Sequence, residues 1–156
     1  MIQDIGMKTE DYIACFRDDA ISNPDIEVGV MIAIEYYDNK FSMVRVNWGP
    51  EEEWEYEFDG AVEQHWLFNE ENTRKLMARM GASNGKELIE AIYQRFKEHS
   101  SEADYVIEDW CKAEGINHFF YYHREMTHEM EEKLHRMRKS NLWYSDSAMS
   151  DTHGTD

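Results

Sequence analysis

The hydrophobic period of this chain changes near Asn69, and that change constrains the fold more than any other feature. Upstream, Glu27 to Tyr37 and Phe41 to Trp48 are rich in Val, Ile and Tyr, and Asp38-Asn39-Lys40 between them has the length of a hairpin turn. Gly49-Pro50 breaks the second run. Glu53 to Phe58 then alternates strictly, with Trp54, Tyr56 and Phe58 on one side and Glu53, Glu55 and Glu57 on the other. Asp59-Gly60 turns the chain again, and Val62 to Phe68 reads as a fourth strand. Consecutive strands joined by short turns give an antiparallel meander, which is expected to keep one face wet.

Downstream the period is helical. Asn69 is placed to cap a helix through Met80, with Glu70 and Glu71 in its first turn and Gly81 just beyond its end. Asn84 and Glu87 have capping-box spacing ahead of Leu88, Ile89, Ile92, Tyr93 and Phe96. Ser101 opens a third helix with Ala103, Val106, Ile107 and Trp110 inward, ended by Gly115. Ile116 to Tyr122 is apolar and aromatic and predicts a returning strand. A last helix is expected from about Glu125 to Lys139, with Met126, Met130, Leu134 and Met137 as its stripe. Ahead of the sheet, Thr9 to Ala20 reads as an N-terminal helix. Thr9 caps it, and Tyr12, Ile13, Phe16 and Ala20 share one face; Ser22-Asn23-Pro24 ends it. The expected fold is therefore α+β. One domain over residues 1–139 holds an antiparallel meander of three to five strands, an N-terminal helix, and three to four helices in the C-terminal half. A polar, flexible tail is expected over 140–156.

Charge is the loudest signal. The chain holds 16 Lys and Arg against 33 Asp and Glu, a net of −17 with His neutral. Residues 1–72 carry 4 basic and 18 acidic side chains; residues 73–156 carry 12 and 15. Between Arg45 and Arg74 there is no basic residue, yet nine acidic ones: Glu51, Glu52, Glu53, Glu55, Glu57, Asp59, Glu63, Glu70 and Glu71. Phosphate contacts need Lys and Arg, so direct binding to nucleic acid through that half is excluded, and an anionic membrane is disfavoured for the same reason. The longest apolar run, Val28 to Ile34, is seven residues against the roughly 20 that span a bilayer. The start, Met1-Ile2-Gln3-Asp4-Ile5, lacks the basic and apolar stretches of a secretory signal. Two cysteines, Cys15 and Cys111, are too few for a disulfide framework, and a reducing cytoplasm is the expected setting.

Period-two alternation places Glu53, Glu55, Glu57 and Asp59 on one face, about 6.7 Å apart. That step is of the order of the phosphate spacing along a nucleic-acid strand. A row of fixed carboxylates could fill a basic groove built for phosphate, and equally could protect an exposed sheet edge. A solvated row lacks the asymmetry that divides two carboxyls into acid and base. Glu35, beside Tyr36 and Tyr37, is the better candidate for a perturbed acid. His128, Glu131 or Glu132, and His135 share a helical face, but that face lies opposite the Met/Leu stripe. They read as solvated side chains, with no metal and no cofactor expected. Cys15 and Cys111 read as buried thiols, and no motif supports Cys111 as a nucleophile with His118 or His123.

These observations favour a non-enzymatic acidic binding protein that blocks the basic, nucleic-acid-binding surface of a partner such as a nuclease. A phage or mobile-element inhibitor of a CRISPR or other defence enzyme is one example. The expected contact residues are Glu51, Glu52, Glu53, Trp54, Glu55, Glu57, Asp59 and Glu63. The alternatives are a homo-oligomeric accessory protein, such as a homodimer, joined through its aromatic surface, and a small metal-dependent enzyme using the C-terminal histidines.

Overall fold

The computed structural model describes residues 11–21, 23–49 and 60–138. Tyr37 and Lys40 pair across a two-residue turn in which Asp38 and Asn39 both take positive φ, 56° and 64°. Asp and Asn tolerate the left-handed region, and such a turn matches the twist of the strands it joins. It links β2 (Gly29–Tyr37) to β3 (Lys40–Gly49). With β1 (Asp11–Asp18), β4 (Gly60–Leu67) and β5 (Phe119–His123), these form a five-stranded antiparallel sheet in the order β1-β2-β3-β4-β5. Four helices follow the fourth strand or the fifth: α1 (Glu70–Met80), α2 (Gly85–Phe96), α3 (Ala103–Ala113) and α4 (His128–Arg138). The fold is α+β, with its helices in the C-terminal half.

The segment expected to form an N-terminal helix is instead β1, an edge strand paired with β2 and bulged at Phe16, where the register slips between Cys15 and Arg17. Thr9 and Glu10 lie outside the described residues. Tyr12, Ala14 and Phe16 turn toward one face, Ile13 and Cys15 toward the other, and both faces are covered. A strand buried on two sides shows no polar alternation, so its apolar run also satisfies a helical stripe. The expected strand over 53–58 lies outside the described residues.

Three helices cover one face of the sheet. Ile32, Ile34, Phe41, Met43 and Trp66 meet Leu76 of α1, Leu88 and Ile92 of α2, and Ile107 of α3. Asn69 caps α1, its Oδ1 accepting from the Asn72 amide at 2.8 Å, and Asn84 caps α2 through the Glu87 amide at 2.9 Å. Glu87 reaches back to the Ser83 amide, one residue before the cap, at 2.8 Å. Gly85 lets α2 approach the sheet: a Cβ there would sit 2.2 Å from the Tyr36 ring. Arg45 of β3 is tied to Asp104 of α3 by two hydrogen bonds, 2.7 and 3.0 Å, and Asp104 is fully buried.

The opposite face is not simply wet. Ile13, Cys15, Met31, Ala33, Val44 and Val46 form a second apolar cluster with Met130, Leu134 and Met137 of α4. The reason lies in β2, whose residues are apolar on both sides, so the second face also needs a cover. α4 is fastened by polar groups from three strands. Thr127, just before the helix, bonds to Glu63 of β4; Lys133 pairs with Glu35 of β2; and Arg138 forks onto Asp18 of β1 at 2.6 and 2.9 Å.

Candidate functional site

α4 crosses its face of the sheet without filling it, and leaves an open cleft of about 530 Å³. Ala33, Ser42 and Val44 floor the cleft. These side chains are short, which keeps the floor low beneath the helix.

One wall is built from β1, β2 and α4. Asp11 lies opposite Tyr37 in the β1–β2 register, so period two sets Asp11, Ile13 and Glu35 on this face. Asp11 shares a hydrogen bond with Glu35, which also takes the Lys133 ammonium. Burial, then the hydrogen bond and the charge of Glu35, push the Asp11 carboxyl up to about 7, although Lys133 and Arg136 oppose the rise. Oδ1 of Asp11 is buried with no hydrogen-bond partner among the described residues.

The other wall comes from β4 and β5. Glu63 is 1% exposed and accepts from the amide and the hydroxyl of Thr127, the latter at 3.1 Å, while His65 Nε2 lies 2.9 Å away. Burial drives the Glu63 carboxyl up, but the bonds from His65 and Thr127 outweigh it and hold the group below the ordinary carboxylate range. His65 faces Tyr121 across the ladder, and their rings stack at 4.7 Å and 6°. His123 stands edge-on to Tyr121 at 5.4 Å. Burial, followed by the charges of Glu63 and Glu129, raises the Tyr121 phenol.

Of the residues expected to contact a partner, only Glu63 is described. It is buried beneath the start of α4, away from any surface row. Glu51, Glu52, Glu53, Trp54, Glu55, Glu57 and Asp59 lie outside the described residues, between Gly49 and Gly60, which pair with one another at the end of the two strands β3 and β4. Glu35, expected as a perturbed acid, does line the cleft, but the carboxyl whose proton affinity moves is its neighbour Asp11. Sequence reasoning missed Asp11, His65, Tyr121 and Lys133. The usable signal was Glu63-x-His65, which period two places on one face of β4.

His128 is exposed and lies 3.0 Å from Glu132 and 4.0 Å from Glu131 on its own helix. Among the described residues no three His, Cys, Asp or Glu side chains converge as a metal site requires. Both cysteines are buried, and burial with the charges of Glu108 and Glu114 pushes Cys111 up to about 12, far from nucleophilic poise. No helix among the described residues is long and apolar enough to cross a membrane.

Fold and cleft together define an α+β protein whose antiparallel sheet carries helices on both faces and a polar cleft under the last one. No protein-family model, curated protein or solved structure matches the chain significantly.

Proposed function

We propose that this is a non-catalytic binding protein whose acidic segment 51–59 occupies the basic, nucleic-acid-binding surface of a partner protein such as a nuclease. The observation that carries the reading is where the sequence concentrates charge of one sign. Among the described residues five carboxylates have cations: Asp18 has Arg138, Asp19 has Arg17, Glu35 has Lys133, Asp104 has Arg45 and Glu114 has Arg79. Residues 50–59 hold six carboxylates and no cation, and are anchored at both ends by the paired Gly49 and Gly60 of two interior strands. A one-signed segment on a rigid base attracts a basic groove and displaces its counterions, as a phosphate strand would. Glu51, Glu52, Glu53, Glu55, Glu57 and Asp59 make the charged contact, with Trp54 as anchor; Glu63, being buried, supports the scaffold.

The test is capture by the immobilised protein from a nuclease-treated cell lysate, with elution by duplex DNA and by rising salt. A basic nucleic-acid-binding protein released by DNA is expected, and a variant with the five glutamates changed to Gln and Asp59→Asn should bind it orders of magnitude more weakly while melting as before. Equal capture by that variant would remove the proposal.

One observation favours self-association as a second reading. β5 is an outer strand of the sheet, and Phe119, Tyr122 and Phe120 on its two faces are 64%, 50% and 41% exposed. An aromatic edge can pair with its own copy. Sedimentation across ionic strength distinguishes this reading. Screening a −17 particle should strengthen a β5-mediated dimer, and Phe119→Lys should abolish it.

A further inference from the structure

We propose that the cleft between α4 and the sheet binds a small uncharged polyhydroxylated molecule, of the size of a mono- or disaccharide, with its ring against His65. This inference stands apart from the acidic segment and rests on four observations.

The first is space. A cleft of about 530 Å³ is of ligand size, and its floor is lined by short side chains. The second is charge matching. Glu35 is taken by Lys133, Glu63 by His65 and Thr127, and α4 contributes Arg136 and Glu129 with opposite signs. A charged ligand at Glu35 or Glu63 would have to displace one of these partners, and the displaced group would be left buried without its counter-charge. A hydroxyl can both donate and accept, so it can add to such groups without displacing them.

The third is an unmet hydrogen-bonding group. Oδ1 of Asp11 is buried at the cleft wall with no partner among the described residues, an arrangement that carries a penalty unless something bonds to it. The fourth is a flat wall. His65 lines the cleft, bonded by Glu63 and stacked face-to-face on Tyr121, so its ring is fixed in orientation at the wall. The C–H face of a pyranose or furanose ring lies against such a surface, while its hydroxyls reach Asp11 and Ser42 on the other side.

The experiment is amide-resolved NMR on the full chain, titrated at millimolar concentrations with D-glucose, D-galactose, D-mannose, D-ribose and myo-inositol, and separately with spermidine and citrate. At least one neutral probe should give saturable shifts at Ala33, Ser42, Val44 and His65. In His65→Ala the affinity should fall at least tenfold, with the rest of the spectrum unchanged. Tyr121→Ala, at the more exposed outer strand, should fall in the same direction and covers the case in which His65→Ala fails to fold. Saturation by spermidine or citrate alone, no response at these amides to any probe, or equal sugar affinity in both variants would each overturn the proposal.

Discussion

Removing the Asp104 carboxylate should destabilise the protein by about 3 kcal/mol, because breaking a buried ion pair costs roughly 3–5 kcal/mol and Arg45 keeps part of its environment. In the intact protein Asp104 is fully buried and the Arg45 side chain 11% exposed. Burial opposes the guanidinium charge, yet the Asp104 bond outweighs it and raises the Arg45 pKa. Asp104→Ala removes the hydrogen bonds at 2.7 and 3.0 Å and leaves a cation in a dry site. What remains is the Ser101 carbonyl at 2.9 Å and the Tyr105 ring 4.8 Å from the guanidinium, which is why the low end of the range applies. For a chain of this size, about 3 kcal/mol corresponds to a melting point lower by roughly 6–12 °C. Urea denaturation followed by tryptophan fluorescence reads the change as a shift in midpoint at constant slope. The paired variant Arg45→Met, Asp104→Leu removes both charges at once and should recover most of the loss. A cost under 1 kcal/mol for Asp104→Ala, or a paired variant no better than the single one, would refute this account of how α3 is held to β3.

Two further outcomes follow from the same physical terms. Asp11 has its folded pKa raised from 3.8 to about 7, so its stabilising contribution is full below about pH 4 and is lost as pH rises through 7; Asp11→Asn, which cannot ionise, should gain on the wild type between pH 4 and 7.5 by about 1–2 kcal/mol after solvent screening, and parallel stability curves would contradict the hydrogen bond shared with Glu35. Asn69→Ala deletes the cap on the Asn72 amide and should cost about 1 kcal/mol in thermal unfolding, with Asn69→Ser or Asn69→Asp close to wild type.

Local chemistry explains which parts of this fold were legible in the residues. The caps at Asn69 and Asn84 and the Asp38-Asn39 turn are decided by side chains within three positions, so their spacing alone locates them. β3 and β4 are bounded by turn residues, Asp38-Asn39, Gly49-Pro50 and Asp59-Gly60, which mark off the two runs as strands. β1 hides because Tyr12, Ile13, Ala14, Cys15 and Phe16 are all needed inside, three of them on the face that α2 covers and two beneath α4. A continuous apolar run over so few residues fits either period, and only its pairing with β2 decides the matter. The cleft was hidden for a related reason. Glu63 and His65 are visibly on one face of β4, but the burial of Glu63 depends on Thr127, 64 positions away. Asp11 was hidden with the strand that carries it. Glu35 was legible beside its aromatic neighbours, whereas Asp11, the carboxyl it raises, required the β1–β2 register.

On β3, Ser42 lines the cleft while Gly49 stands at the end from which residues 50–59 leave the strand, and seven residues of extended chain place the two about 24 Å apart. On β4, Glu63, His65 and Leu67 all line the cleft, and Glu63 is three residues from Gly60. The strand residues between Ser42 and Gly49 are held on one face by the α1–α3 layer and on the other by Val46, Met31 and the stripe of α4, so neither end can shift the other without disturbing a packed core. On the two proposals the partner takes residues 51–59 and the ligand takes the cleft, so each can be tested with the other intact. The two proposals accordingly fail separately: neutralising the segment should abolish partner capture with cleft affinity intact, and His65→Ala should do the reverse. Loss of both in either variant would mean that the two ends are coupled through the sheet.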